Sequence, residues 1–421
     1  MKKRSLVFSF VWLACGSVVA QTDDYKPMDN YKLEQVLVVS RHNLRTPFTW
    51  NNATLARSTP NSWPKWNENG NELTTKGGAL EVYMGHYFRV WLQNAGLLPE
   101  VGCPEKDDVY IYSNSRQRTV ATAQFFTVGA FPSCDITVHH RPLPEKDTWD
   151  SMDPIFNYVI TNKDSSFKEL TRKAMNDKLN SLNLESSYRL LEELIDYKNS
   201  GSCKEDNKCS LIEAKNTFIV EPGSDPNISG PLKVGNSMAE ALMMEYYEGF
   251  PLEQITWGKV LSPQQWQQLM KLRNGYQEIQ FSAPMVSQNL AKPLVTYISN
   301  TLIGTPKEDS PKLILLVGHD TNIATLLSAL QAEDYQLPHQ YETTPIGGKV
   351  VFQRWSNKNS KQDFLKIEYV YQSVNQIRNA EKLTLDNPPQ HVTLSLKGCP
   401  INAQGFCLWS DFEKVLKTAL R

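Results

Sequence analysis

The sequence predicts an α/β protein: a mostly parallel sheet flanked by helices, with a second, mostly α-helical domain inserted into it. Three observations predict this. Short aliphatic runs at Gln35–Val39 (QVLVV), Asp108–Tyr112 (DVYIY) and Lys312–Val317 (KLILLV) read as strands buried on both faces, as in a parallel sheet covered by helices. A helical pattern follows each run, giving strand then helix three times. Between about residues 150 and 300 the alternation gives way to helical patterns alone.

The elements read in order along the chain. Met1-Lys2-Lys3-Arg4 is basic, Leu6 to Ala14 is apolar, and Ser17-Val18-Val19-Ala20 places small residues before Gln21, the pattern of a cleaved secretory signal over residues 1–20. A lipoprotein site at Leu13-Ala14-Cys15-Gly16 is the rival, disfavoured by the bulk of Trp12. The apolar run is too short to span a bilayer, and none longer follows. The expected protein is therefore exported, periplasmic and free of the membrane after cleavage. Behind Gly77-Gly78, Leu80, Tyr83, Met84, Tyr87 and Trp91 mark a helix over Thr75–Leu98, on which His86 is expected to be packed or partly buried. Thr119–Thr127 and Asn322–Leu330 are the helices after the second and third strands. Ser166–Leu182, Ser186–Tyr197, Lys233–Tyr247, Ser262–Gln280 and Ala291–Thr301 make up the inserted domain, placed at 151–301 between catalytic segments 21–150 and 302–421. Lys349–Phe352 and Phe364–Tyr371 alternate and read as edge or antiparallel strands.

Composition narrows the function. The 421 residues carry 44 Lys+Arg and 45 Asp+Glu, a net charge of −1, which argues against a nucleic-acid binder. With 40% hydrophobic and 21% charged residues the chain can bury a large core and is not a disordered one. Loss of the signal removes Cys15 and leaves six cysteines, an even count that suggests disulfides in an exported protein. Cys203 with Cys209 and Cys399 with Cys407 close short loops, leaving Cys103 with Cys134.

The segments that follow the strands carry the chemistry. They are Ser40-Arg41-His42-Asn43-Leu44-Arg45-Thr46-Pro47, Ser113-Asn114-Ser115-Arg116-Gln117-Arg118-Thr119 and Gly318-His319-Asp320-Thr321-Asn322. Ligands of open parallel sheets bind outside the carboxyl ends of the strands, so these segments should converge on one crevice. Several guanidinium groups suit a tetrahedral, multiply charged anion such as phosphate. A neutral imidazole among them can attack phosphorus, because the same positive charges oppose its protonation. A carboxylic acid nearby can protonate the leaving alcohol and then deprotonate water. Asp320 also reads as an N-cap. His139-His140 lies in a polar stretch and does not suggest a metal site.

Arg-His-x-x-Arg-x-Pro after the first strand, with His-Asp after a late one, resembles the histidine acid phosphatase family. The resemblance extends over Ser40–Pro47, Leu73–His86, Asn114–Phe126, Gly230–Ser237, Gly318–Asn322 and Thr344–Trp355, and it is similar there to the bacterial glucose-1-phosphatase branch. The usual Gly after the nucleophilic His is Asn43 here, a departure that also looks like that branch. The resemblance implies a phosphoglycerate-mutase-like sheet and a phosphomonoesterase that needs no cofactor and no metal. It implies His42 as the nucleophile that forms a phosphohistidine, Arg41, Arg45 and Arg118 as the phosphate clamp, and His319 as a further phosphate ligand. Asp320 would bind substrate and donate the proton. Arg116 competes with Arg118 for the third clamp position. A sugar-binding carboxylate falls on Asp225 if no gap is allowed and on Glu221 if one is, and Glu240 is a weaker candidate for gating the mouth.

The implied substrate is glucose 1-phosphate, with side activity on phytate. A dedicated phytase is the alternative, expected to have a larger and more basic pocket. A non-catalytic periplasmic sugar-phosphate-binding protein is a third reading, but it has no need of His42 or Asp320. No partner beyond the small phosphomonoester is implied, and the sequence leaves monomer and homodimer open.

Overall fold

The computed structural model describes residues 29–48, 51–143, 153–281 and 283–421. The expected signal segment and Cys15 lie outside them. Among the described residues the strands are β1 (Tyr31–Arg41), β2 (Val109–Ser113), β3 (Val138–His140), β4 (Thr217–Ile219), β5 (Asn227–Ser229), β6 (Leu313–Gly318), β7 (Lys349–Asn357), β8 (Asp363–Tyr371), β9 (Gln390–Leu394) and β10 (Cys407–Leu408). The main sheet runs β10-β8-β7-β1-β6-β2-β3, with β9 also on β8, and β4-β5 form a separate hairpin. β1, β6, β2 and β3 pair in parallel, and β7 to β10 extend the sheet antiparallel from β1. The parallel half contains the three aliphatic runs, of which β2 is buried on one face only, with Tyr110 and Tyr112 half-buried on the other, and the alternating segments form the start of the antiparallel half. Overall the sheet is mixed, because β7 continues the ladder from β1 in the opposite direction.

The pleat divides the core into two layers. Leu37 and Val39 of β1 face Leu294, Val295, Ile323, Leu326 and Phe412 on the helices Pro284–Ser299, Asp320–Ala329 and Trp409–Ala419. Val36 and Val38 point the other way, to Met84, Tyr87, Phe88 and Phe126 on the helices Thr75–Asn94 and Gln117–Ala130. Each such side chain contributes about 1.5–3 kcal/mol on full burial, enough to fix the strand's register. A third cluster joins Leu191, Leu242, Met270 and Ile279, on helices at 185–194, 231–248 and 263–281, to Leu44, Leu80 and Ile346 from the sheet side. The helical stretch thereby packs over the carboxyl ends of the strands.

Three details differ from the sequence reading. The helix expected at Ala291 begins at Pro284, where proline occupies the first turn, and continues past Pro293. His86 is exposed, because the helix phase turns Met84, Tyr87, Phe88 and Trp91 inward. The N-cap of the helix after β6 is His319, and Asp320 is its first helical residue. The pairs Cys103–Cys134, Cys203–Cys209 and Cys399–Cys407 are disulfide-bonded.

The loop after β1 is held against the helix Thr75–Asn94. The Thr74 side chain caps that helix by accepting from the Gly77 N–H, and its own N–H donates to the Leu44 carbonyl at 2.9 Å. A Cβ on Gly77 would lie 2.2 Å from that same carbonyl oxygen, which explains why glycine stands there. Gly77→Ala should therefore destabilise the protein by about 1–3 kcal/mol in urea unfolding. Gly201→Ala, where an added Cβ meets nothing nearer than 3.5 Å, should be close to neutral; equal effects of the two substitutions would contradict this reading of the loop.

Candidate active site

Strand register brings the three segments together. In the parallel ladders Arg41 lies opposite Gly318, and Ser113 lies opposite Val317. The chain leaves each strand at one level, where the His42 N–H donates to the Gly318 carbonyl at 3.0 Å and the Asn114 N–H to the Val317 carbonyl at 2.9 Å. The His42 and His319 rings meet edge to face with centroids 5.7 Å apart. Above them lies a cavity of about 870 Å³ whose wall includes His42, Phe48, Arg116, Arg118, Tyr158, Asp225, Glu240, Arg273, His319 and Asp320.

His42 is almost fully buried, and its Nδ1 lies 2.8 Å from the Asn43 carbonyl oxygen. A carbonyl only accepts, so Nδ1 carries the proton and Nε2 keeps its lone pair. Burial holds the imidazole well below its usual range, and the charges of Arg118, Arg41 and Arg45 push it further the same way. His319 is held well below its usual range by burial and Arg118, and its Nε2 lies 3.2 Å from Asn114 Oδ1. Both imidazoles are neutral.

The guanidinium groups are tied to carboxylates. Arg41 donates from Nη1 to Glu342 Oε1 at 2.9 Å and to the Thr344 carbonyl at 2.6 Å, and its Nη2 lies 3.5 Å from Asp320 Oδ2. Burial opposes its charge, but Asp320 and Glu342 outweigh burial and raise its pKa. Arg45 donates to Glu240 Oε1 at 2.8 Å and stacks 3.3 Å from the centre of the Phe48 ring. Arg41 and Arg45 are buried and are not part of the cavity wall, whereas Arg116 and Arg118 both line it. Arg118 is pulled down to about 9 by burial and then by Arg45. Nε of Arg41, Arg45 and Arg118, together with Nη2 of Arg41 and Nη1 of Arg273, are buried donors without a hydrogen-bond acceptor. Each such donor costs about 1–3 kcal/mol if left unsatisfied, and a multiply charged oxyanion supplies the missing acceptors.

The carboxylates fall into two sets. Asp320 Oδ2 accepts from Arg273 at 2.5 Å, and its Oδ1 accepts from the Thr321 N–H at 2.9 Å. Burial works against its charge, but Arg41 and Arg273 overcome burial and hold it ionised, far below the usual carboxylate range. Asp225 lines the cavity, its pKa raised to about 6 by burial. Glu221 is exposed, pairs with Lys168 at 2.6 Å and does not line the cavity. Glu240 lines the cavity from its helix.

Two participants escaped the sequence reading. Arg273, nearly fully buried on the helix Pro263–Phe281, joins Asp320 to Glu342, which lies 3.3 Å from its Nε. Its signal was a cation in phase with Leu269, Met270, Leu272 and Tyr276 on a buried helix face. Glu342 stands in an irregular segment and leaves no periodic signal.

Comparison with known proteins places the whole chain. The chain is 52% identical to a glucose-1-phosphatase of Salmonella typhimurium over 409 residues, covering 97% of each protein. It is 48% identical to a glucose-1-phosphatase of Providencia rettgeri over 403 residues, covering 96% of this chain and 94% of the relative. Among solved structures, a phytase from Citrobacter braakii superposes with a TM-score of 0.82 at 29% identity, over 92% of this chain and 97% of the phytase. Residues 32–372 match the family model described as histidine phosphatase superfamily, branch 2. A neutral, buried histidine at the end of β1, ringed by arginines and facing an aspartate at the end of β6, accords with that match, and the chain belongs to the histidine phosphatase superfamily, branch 2.

Proposed function

We propose that this phosphomonoester hydrolase acts on glucose 1-phosphate in the periplasm, through a phosphohistidine formed on His42. The observation that carries the reading is the His42 imidazole. Its Nδ1 proton is committed to the Asn43 carbonyl, so the Nε2 lone pair is left at the cavity amid arginines.

The chemistry follows in two displacements. Nε2 of His42 attacks phosphorus as the bond to the sugar oxygen breaks. Arg41, Arg45, Arg118 and His319 offset the charge on the phosphoryl oxygens. Asp320 gives its proton to the leaving oxygen, then takes one from the water that attacks the phosphohistidine. Inorganic phosphate leaves, and His42 is restored. Asp320 is ionised in the free site and must gain a proton first. A monoanionic phosphate ester can bring one, and its negative charge, paired with Arg41 and Arg273, removes the attraction that kept Asp320 ionised. This favours turnover at acidic pH.

The helical segment 151–301 acts as the substrate cap in this reading. Asp225, half neutral near pH 6, faces the sugar and can accept or donate a hydrogen bond to its hydroxyls. The cavity wall balances Arg116, Arg118, Lys233 and Arg273 against Glu72, Asp225, Glu240 and Asp320. That balance suits one phosphate on a neutral polyol better than six phosphates on a ring, which favours glucose 1-phosphate over the dedicated phytase.

Three outcomes test the proposal. His42→Ala should lower turnover by orders of magnitude while inorganic phosphate still binds, as followed by calorimetry; retained turnover would refute the nucleophile. The specificity constant should rank glucose 1-phosphate above glucose 6-phosphate and phytate, and a preference for phytate would make this a phytase. Arg118 lowers the His42 pKa, so Arg118→Ala should let it rise. The acidic limb of the kcat/KM profile, below which His42 is protonated, should then move to higher pH. A limb that stays in place would remove Arg118 from the vicinity of the nucleophile.

A further inference from the structure

A nucleophilic imidazole must be held in one tautomer and one orientation, and here both depend on the Asn43 carbonyl. Every polar group of Asn43 is engaged. Its N–H donates to Thr122 Oγ1 at 3.0 Å, and its Oδ1 accepts from the Leu44 N–H at 2.8 Å. Its Nδ2 donates to Glu81 Oε2 at 2.7 Å, while Glu81 Oε1 accepts from Lys349 Nζ at 2.7 Å. Lys349 Nζ also donates to Ser40 Oγ at 2.9 Å and to the Gly347 carbonyl at 3.2 Å. The chain of contacts returns to its start, because the Gly347 N–H donates to the His42 carbonyl at 3.1 Å.

These groups come from four places: the end of β1 and the loop after it, the helices Thr75–Asn94 and Gln117–Ala130, and the start of β7 with the turn before it. None opens to solvent. Asn43 is 1% exposed, and Glu81 and Lys349 are fully buried. A buried ion pair is a poor source of net stability, because desolvation offsets its attraction; its best-attested use is to fix register. Gly347 is fitted to the same arrangement. Its φ is +64°, and a Cβ there would lie 2.6 Å from Asn43 Nδ2.

We propose that Asn43 is a positioning residue for the phosphoryl transfer, coupling the buried Lys349–Glu81 pair to the carbonyl that orients His42. The inference rests on His42 being the nucleophile. Asn43 does not touch the substrate, and its effect is on the direction of Nε2. Loss of its side chain leaves Glu81 Oε2 without its donor and frees the carbonyl to turn.

The test is rapid quench into alkali, where phosphohistidine is stable, followed by its quantification in the parent protein, Asn43→Ala and Asn43→Asp. Asn43→Ala should slow phosphorylation about tenfold or more, with inorganic phosphate inhibition nearly unchanged. Asn43→Asp keeps the shape and supplies a pH-dependent readout. The introduced carboxyl faces Glu81, with Lys349 and His42 the other titratable groups around it. At low pH it is protonated and donates to Glu81, so the rate should approach the parent's. As pH rises it ionises, two carboxylates oppose each other, and the rate should fall where the parent's does not. A structural role alone would lower the melting temperature without adding this limb. Parent-like rates and an unchanged pH profile in both variants would overturn the inference, leaving the function intact. No phosphohistidine in the parent would overturn the proposed function, and this inference with it.

Discussion

Four guanidinium groups buried around one point are the constraint on which the rest of this structure depends. Arg41, Arg45, Arg118 and Arg273 lie near each other with little access to water, and buried like charges are tolerated only when carboxylates share the site. Glu342 and Asp320 each serve both Arg41 and Arg273, and Glu240 serves Arg45. The carboxylates come from three separate parts of the chain. The helical stretch contributes Glu240 and Arg273, so the charge arrangement cannot be completed by the sheet alone. The same field that would bind an oxyanion adds to burial in keeping His42 neutral, and the arginines thus serve two ends of the proposed chemistry.

Placement of that field is a matter of register. The parallel ladders of β1, β6 and β2 set Ser40, Val317 and Ser113 side by side, so that Arg41 and Gly318 follow together and the three loops leave the sheet close to one another. Leu44 is then fixed from behind by Thr74 and Gly77. Asp320 shows how finely the balance is set. Two arginines hold it ionised in the free site, yet the proposed role needs a proton on it, and only the charge of the bound phosphate reconciles the two. In the proposed chemistry, protonation of this acid is therefore linked to the presence of substrate.

Much of this was legible in the sequence. The three aliphatic runs and the charged segments after them sufficed to place His42, His319, Asp320 and Arg118 at one crevice, because a parallel sheet sends the carboxyl ends of its strands to the same side. Asp225 and Glu221 could not be separated by spacing alone. In the structure Asp225 lines the cavity while Glu221 stays on the surface with Lys168. Arg273 and Glu342 were missed because their significance lies in a pairing across 69 residues, which no local pattern records. His86 was expected to be packed because it sits on an apolar-patterned helix, but the helix phase turns it to solvent beside Met84 and Tyr87. The Asn43–Glu81–Lys349 chain was likewise invisible, since its partners share no motif and meet only once the sheet has formed.

The account turns on a covalent intermediate at a histidine kept neutral by its neighbours. The most direct measurement is the stereochemical course at phosphorus, with a substrate made chiral there by sulfur and oxygen isotopes. Two successive in-line displacements, through His42 and then water, predict net retention of configuration. Net inversion would mean that water attacks the ester directly, and it would contradict the account.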